Sequence, residues 1–177
     1  NPDVWFGAEV IPALWRLMAE NEDVALAMPK VLFLTGSVQC LAKLLPTPVD
    51  LFCRFFMPAK LIVRRNNKFE LRHSGYDREM NVPFLSGCFM FLRVSALKSE
   101  GIFDERFFMY MEDVDLTRRL HAKHKTLFYP SVSIYHRFSR LSYHKWKLSL
   151  AHMASVVKYF NKWGWIYDSS RRRFNKT

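Results

Sequence analysis

The run Phe84-Leu85-Ser86-Gly87-Cys88-Phe89-Met90-Phe91-Leu92, followed by Glu112-Asp113-Val114-Asp115-Leu116, decides the fold class. Its first part is apolar and aromatic, broken by a glycine, and reads as a buried strand that another backbone or a ligand can approach closely. Its second part opens a helix running to about Lys123, with carboxylates in the first turn that suit the positive end of a helix dipole. Thr126 to His136 reads as a further strand, interrupted at Tyr129-Pro130, and between these segments Gly101 to Glu105 is a turn. Strand and helix patterns alternating in this way indicate an α/β domain.

Towards the N-terminus, Val10, Leu14, Leu17 and Met18 fall at helical spacing, which predicts a surface helix from Val10 to Asn21 with Pro12 in its first turn. Val24 to Met28 and Val31 to Leu34 read as strand material on either side of Pro29. Residues 37–83 carry Pro46, Pro48, Pro58 and the polar stretch from Arg64 to Lys68, and read as an irregular excursion of the kind that often lines sites. Towards the C-terminus, Tyr143 to Trp163 is predicted as a long amphipathic helix. Trp146, Leu150, Met153, Val157 and Phe160 form one stripe, and Lys145, Ser149, His152, Ser155, Lys158 and Lys162 form the other. Arg171-Arg172-Arg173 is expected to be a loose tail. This divides the chain into a domain over residues 1–142 and a basic helix and tail over 143–177.

The composition fits a folded unit: of 177 residues, 50% are hydrophobic and 16% aromatic, enough to bury a sizeable core. No apolar run approaches the ~20 residues of a membrane-spanning helix. Cys40, Cys53 and Cys88 are odd in number and lack C-x-x-C spacing, which fits neither a disulfide framework nor a zinc site and suggests a reducing, cytoplasmic setting. The net charge of +11 is uneven, with 13 Lys/Arg against 15 Asp/Glu in residues 1–116 and 14 against Asp168 alone in 117–177. A cationic last third could meet nucleic acid, an anionic membrane or the phosphates of a small ligand.

Glu112, Asp113 and Asp115 could supply a general base or a metal ligand, although acidic residues at a helix start are commonly capping features. His136, ending a strand, and Asp3, in a turn, are unremarkable singly. Together with the carboxylates they could converge on Mg²⁺ or Mn²⁺, which take oxygen ligands and an occasional imidazole. Phe103, Phe107, Phe108 and Tyr110 could offer a stacking face, with core packing as the default. Arg118 and Arg119 suit helix ion pairs or phosphate, and Arg137 and Arg140 are better placed for phosphate.

The order Asn1-Pro2-Asp3-Val4, Phe84 to Arg93, Gly101 to Leu120 and Phe128 to His136 resembles inverting GT-A glycosyltransferases of family 2, most closely the rhamnosyltransferase branch. Lys158 to Trp165, Pro29-Lys30 and Leu45-Pro46-Thr47 extend the likeness over nearly the whole chain. It implies a Rossmann-like mixed sheet flanked by helices, with this chain as the acceptor-side half and a preceding nucleotide-binding half outside it, so that the piece alone would be inactive. It implies Asp113 as the base that deprotonates the acceptor hydroxyl and Glu112 as its neighbour. Asp3, where Asn1 replaces a second carboxylate, and His136 are implied as ligands of Mg²⁺ or Mn²⁺. Arg118, Arg137 and Arg140 would lie towards the donor diphosphate, and Ser86, Gly87 and Tyr110 near the sugars.

The activity implied is inverting transfer of a sugar, rhamnose in this branch, from a nucleotide donor such as dTDP-rhamnose. The acceptor would be a polysaccharide or polyprenyl-linked glycan. The expected place is the cytoplasm, peripherally on the inner membrane face, with the lysines of the last helix on anionic lipid. Two other readings stand beside it. A basic module binding nucleic acid or another anionic polymer explains the last third but not the clustered carboxylates, so no nucleic acid is expected. An inactive scaffold is compatible with every residue.

Overall fold

The computed structural model describes residues 2–137 and 146–176. Its elements are β1 (Val4–Phe6), α1 (Val10–Glu20), β2 (Val24–Leu32), β3 (Ala42–Lys43), α2 (Pro48–Phe56), α3 (Val63–Phe69), β4 (Met80–Asn81), β5 (Phe84–Leu85), β6 (Phe91–Leu92), α4 (Val94–Glu100), α5 (Glu112–His121), β7 (Lys125–His136), α6 (Trp146–Trp163) and α7 (Ser169–Phe174). The main sheet runs β1-β7-β2-β6, with β4 also on β7, and β3 and β5 form a separate pair. β2 and β7 are parallel and the other pairings antiparallel, giving a mixed α/β sheet flanked by helices, compatible with a Rossmann-like fold.

The helix expected from Val10 is present, and Val10, Leu14, Leu17 and Met18 are its buried face, packed on β2 and β7. Two strands were expected around Pro29, but β2 runs through it unbroken. The irregularity appears as a register shift, from Pro29 opposite Tyr129 to Lys30 opposite Ser133, so the partner strand bulges beside a residue with no N–H to give. The expected buried strand over Cys88–Leu92 is only Phe91–Leu92 and half-buried, and Phe84–Leu85 before it pairs with β3 outside the main sheet.

The excursion over 37–83 is more ordered than its prolines suggest. Pro48 is the first residue of α2, where a missing N–H costs nothing, and Thr47 with Asp50 forms a reciprocal capping box. Helix α4, ended by Gly101 at φ +82°, lies in a stretch read only as far as its closing turn.

The C-terminal helix carries the largest correction. Apart from Phe160, it is members of its polar stripe that contact the domain: Ser155 Oγ donates to Met109 O at 2.7 Å, Lys158 Nζ to Arg106 O at 2.9 Å, and Lys162 Nζ pairs with Asp104 and Asp115, each at 2.8 Å. Trp146, Leu150, Met153 and Val157 are exposed, whereas Tyr159 and Phe160 join the same core as β2, α5 and β7. The tail expected to be loose is helix α7, capped by Asp168, with Arg171 and Phe174 buried. Lys145 lies outside the described residues.

Candidate active site

Two residues in left-handed backbone, Tyr110 (φ +64°) and Met111 (φ +67°), turn the chain into α5 and set Glu112 and Asp113 at its start. Such conformations are uncommon for side chains of this size and mark functional turns more often than chance. Asp113 Oδ2 accepts the backbone N–H of Gly87 at 2.8 Å, and Oδ1 accepts that of Val114 at 2.8 Å. Thr117 Oγ1 ties the next turn to Leu85 O at 3.2 Å, so α5 is bolted to β5 on both sides of Ser86. Burial raises the pKa of the Asp113 carboxyl, against the opposing pull of the two N–H groups and of Lys43. Glu112 is pushed up to about 7 by burial and by the Asp113 charge, and its Oε2 is buried with no hydrogen-bond partner.

A second group forms where β1 meets the end of β7. Val4 pairs with His136, Arg137 N–H donates to Asp3 O at 2.9 Å, and His136 Nε2 faces Asp3 Oδ2 at 3.5 Å. Gln39 fixes the imidazole: its Nε2 donates to His136 O (2.7 Å) and Leu32 O (3.2 Å), which leaves its Oε1 to face His136 Nδ1 at 3.0 Å. The Gln39 amide thus holds the Nδ1 side of the ring and leaves the Nε2 side turned towards Asp3. Among the described residues no three His, Cys, Asp or Glu side chains gather as a metal cage. One carboxylate and one imidazole fit a divalent ion that takes its other ligands from diphosphate and water.

Phe6 of β1 meets Phe89 edge-on at 5.8 Å, and the antiparallel pairing of Ala27 with Phe91 carries the loop after Gly87 along the C-terminal half of β2. Both groups thus lie towards the carboxyl ends of the parallel strands, where open α/β sheets bind ligands.

The chain is similar to a rhamnosyltransferase. Over 141 residues it is 33% identical to N-acetylglucosaminyl-diphospho-decaprenol L-rhamnosyltransferase of Mycobacterium tuberculosis, in strains CDC 1551 / Oshkosh and ATCC 25618 / H37Rv alike. The match takes in 77% of this chain and 45% of the relative, so the chain spans less than half the length of these curated relatives. No protein-family model matches. The likeness supports a glycosyltransferase family.

Against that background the remaining expected residues separate. Ser86, Gly87 and Tyr110 surround the start of α5, with the Tyr110 ring on His152 at 4.4 Å. Arg137 is exposed beside Asp3, and Asn1 and Arg140 lie outside the described residues. Arg118 is not brought to the site. Its guanidinium is buried, paired with Asp168 at 2.5 Å and stacked 4.0 Å from the Trp163 ring centroid. Of the aromatic cluster only Phe107 is core, while Phe108 is exposed. Sequence reasoning missed Gln39, Arg54, His152 and Lys43. The last had a visible signal, a lone cation in Leu41-Ala42-Lys43-Leu44-Leu45.

Proposed function

We propose that the whole protein is an inverting glycosyltransferase that moves a sugar, rhamnose by likeness to its relatives, from a nucleotide-diphosphate donor to a glycan acceptor. The relatives are named for an N-acetylglucosaminyl-diphospho-decaprenol acceptor, and we take the acceptor here to be of that lipid-linked class. The observation that carries the reading is Asp113, a carboxylate fixed by two backbone donors, with its pKa raised by burial, at a strand–helix junction.

In the displacement, Asp113 takes the proton of an acceptor hydroxyl as that oxygen bonds to the anomeric carbon, and the bond from that carbon to the diphosphate breaks on the opposite face. One such step inverts the centre. Asp3 and His136 would hold Mg²⁺ or Mn²⁺, which when bound offsets charge on the departing diphosphate. Arg137 stands beside them for the same anion.

No described helix is long and apolar enough to cross a membrane. We place the protein peripherally on the cytoplasmic membrane face, held by exposed apolar side chains instead of the lysines of α6. The polymer-binding alternative loses support because Arg118, Lys158, Lys162 and Arg171 are occupied within the fold.

The test is turnover of a nucleotide-sugar panel, with and without divalent cation, by the full-length gene product and its Asp113→Asn variant. One donor should be consumed, only with the cation, and the variant should be slower by ~10²-fold or more. Equal rates for the two proteins would remove Asp113 as base, and no turnover of any donor would leave the scaffold reading.

A further inference from the structure

Three cations share one carboxylate beside the Asp113 junction. Lys43 stands opposite Phe84 in the β3–β5 pair, its Nζ 5.6 Å from the Phe84 ring centroid and 5.9 Å from that of Phe69. The Arg54 guanidinium lies 5.1 Å from the same Phe69 ring. Glu70 accepts Arg54 Nη2 at 2.9 Å and Arg72 Nε at 2.8 Å. Burial would raise the Glu70 pKa, yet Lys43, Arg54 and Arg72 together hold it below the usual range. Burial and the Arg54 charge hold the Lys43 ammonium below the usual lysine range.

Glu70 and, through space, Asp113 offset only part of this positive charge. Arg54 Nη1 is buried without a hydrogen-bond partner, and among the described residues no carboxylate forms an ion pair with Lys43. Buried donors left this way are rare and call for a ligand or a compensating group. The contacts lead back to the base. From Arg54, its neighbour Phe55 meets His152 at 4.9 Å, His152 meets Tyr110 at 4.4 Å, and Tyr110 precedes Glu112 and Asp113. From Lys43, Phe84 leads through Ser86 to Gly87 and its bond with Asp113. Lys43 feels the Asp113 charge through space, and no hydrogen bond joins the two among the described residues.

We propose that Lys43 and Arg54 form a phosphate subsite for the acceptor, binding the phosphate next to its sugar and so presenting a ring hydroxyl to Asp113. This rests on the transferase reading. A sugar ring separates its anomeric phosphate from its far hydroxyls, so the cations and the base must not bond each other directly, and no hydrogen bond joins Lys43 or Arg54 to Asp113 among the described residues. The Arg54 fork offers paired donors to phosphate oxygens and Lys43 a compact charge, and the diphosphate diester, with one negative charge on each phosphate, offsets the surplus around Glu70.

The same chemistry could serve the donor diphosphate, so the experiment separates the two. Calorimetry on the full-length protein without donor would compare a soluble alkyl-diphosphate-linked N-acetylglucosamine with the alkyl N-acetylglucosaminide lacking phosphate, and with the nucleotide sugar. Wild type should prefer the diphosphate probe. Lys43→Met, which keeps the stem between the two rings, and Arg54→Gln should each raise the Kd of that probe at least 10-fold. Arg54→Lys should recover part of the loss, and the Kd values for the other two probes should not move. Equal weakening of both sugar probes, weakening for the nucleotide sugar, an unchanged diphosphate Kd, or no preference in wild type would each overturn the subsite. Donor turnover, measured separately, reports failure of the transferase reading itself.

Discussion

The backbone N–H of Gly87 donates to Asp113 Oδ2 at 2.8 Å, and a Cβ added to Gly87 would stand 3.1 Å from the Asp113 Cβ. That is tighter than ordinary contact, so Gly87→Ala must displace the carboxylate by a few tenths of an ångström or lengthen its hydrogen bond. Neither residue needs left-handed backbone here, and the fold has little else to lose. We expect kcat to fall ~10-fold or more, because small misplacements of a reacting group are costly, with a melting temperature within a few degrees of wild type. A variant with normal kcat would show that the Gly87 contact does not set the position of the base.

Glu112 makes stability depend on pH in a defined direction. Its folded pKa of about 7 lies above the ordinary 4.5, so the native state holds a proton that the unfolded chain gives up. Stability from this group is present below pH 4.5 and is lost as pH rises to about 7. Glu112→Gln should flatten that slope and raise stability above pH 7 by on the order of 1–3 kcal/mol. Denaturant melts at several pH values between 5 and 8 would check this, and parallel slopes for the two proteins would contradict it.

What was legible in the sequence followed periodicity and local order. The α1 stripe and the α5 start needed only nearby residues, and so they emerged at once. Gln39 could not be read, because its partner His136 lies 97 positions away and nothing local marks it. The excursion over 37–83 misled because proline was taken as a breaker when Pro48 begins a helix. On α6 the expected apolar stripe divides, with Phe160 in the core and Trp146, Leu150, Met153 and Val157 exposed. Hydrophobicity favoured burying Trp146 and Leu150, and the competing demand came from Asp104 and Asp115, which need Lys162 and are far away in sequence.

Arg118 and Asp168 are almost wholly buried and joined by two hydrogen bonds, at 2.5 and 2.8 Å. They clamp α5 to the start of α7, and Tyr159 of α6 lies 3.1 Å from the same guanidinium. Removing one partner strands a charge out of water, which costs about 3–5 kcal/mol. Asp168→Ala should therefore lower the melting temperature by roughly 10 °C in a chain of this size, while Arg137→Ala, at an exposed position, should change it little. A small shift for Asp168→Ala would mean that the clamp is not needed to hold α6 and α7.

The membrane contact predicted here is apolar. Phe52 (60% exposed), Phe56 (63%) and Leu61 (71%) line one side of the α2 region, and Trp146 (70%) lies with Leu150 on the outer face of α6. Phe55 and His152, in ring contact at 4.9 Å, join the two helices. Between Pro48 and Phe69 the charges are Arg54, Lys60, Arg64, Arg65 and Lys68 against Asp50 alone. Aromatic and aliphatic side chains flanked by cations suit the boundary of an anionic bilayer. Each large apolar side chain moved out of water contributes about 1.5–3 kcal/mol, so Phe52→Ser with Phe56→Ser should cut partitioning into phosphatidylglycerol vesicles at least 10-fold with the fold intact. Binding that survives high salt and carries a blue shift of Trp146 fluorescence, read as the difference from Trp146→Phe, would fit. Reversing the Lys162 charge should instead destabilise the domain, since it would set a like charge against Asp104 and the buried Asp115. Vesicle binding unchanged in the double serine variant would show that this face does not meet lipid.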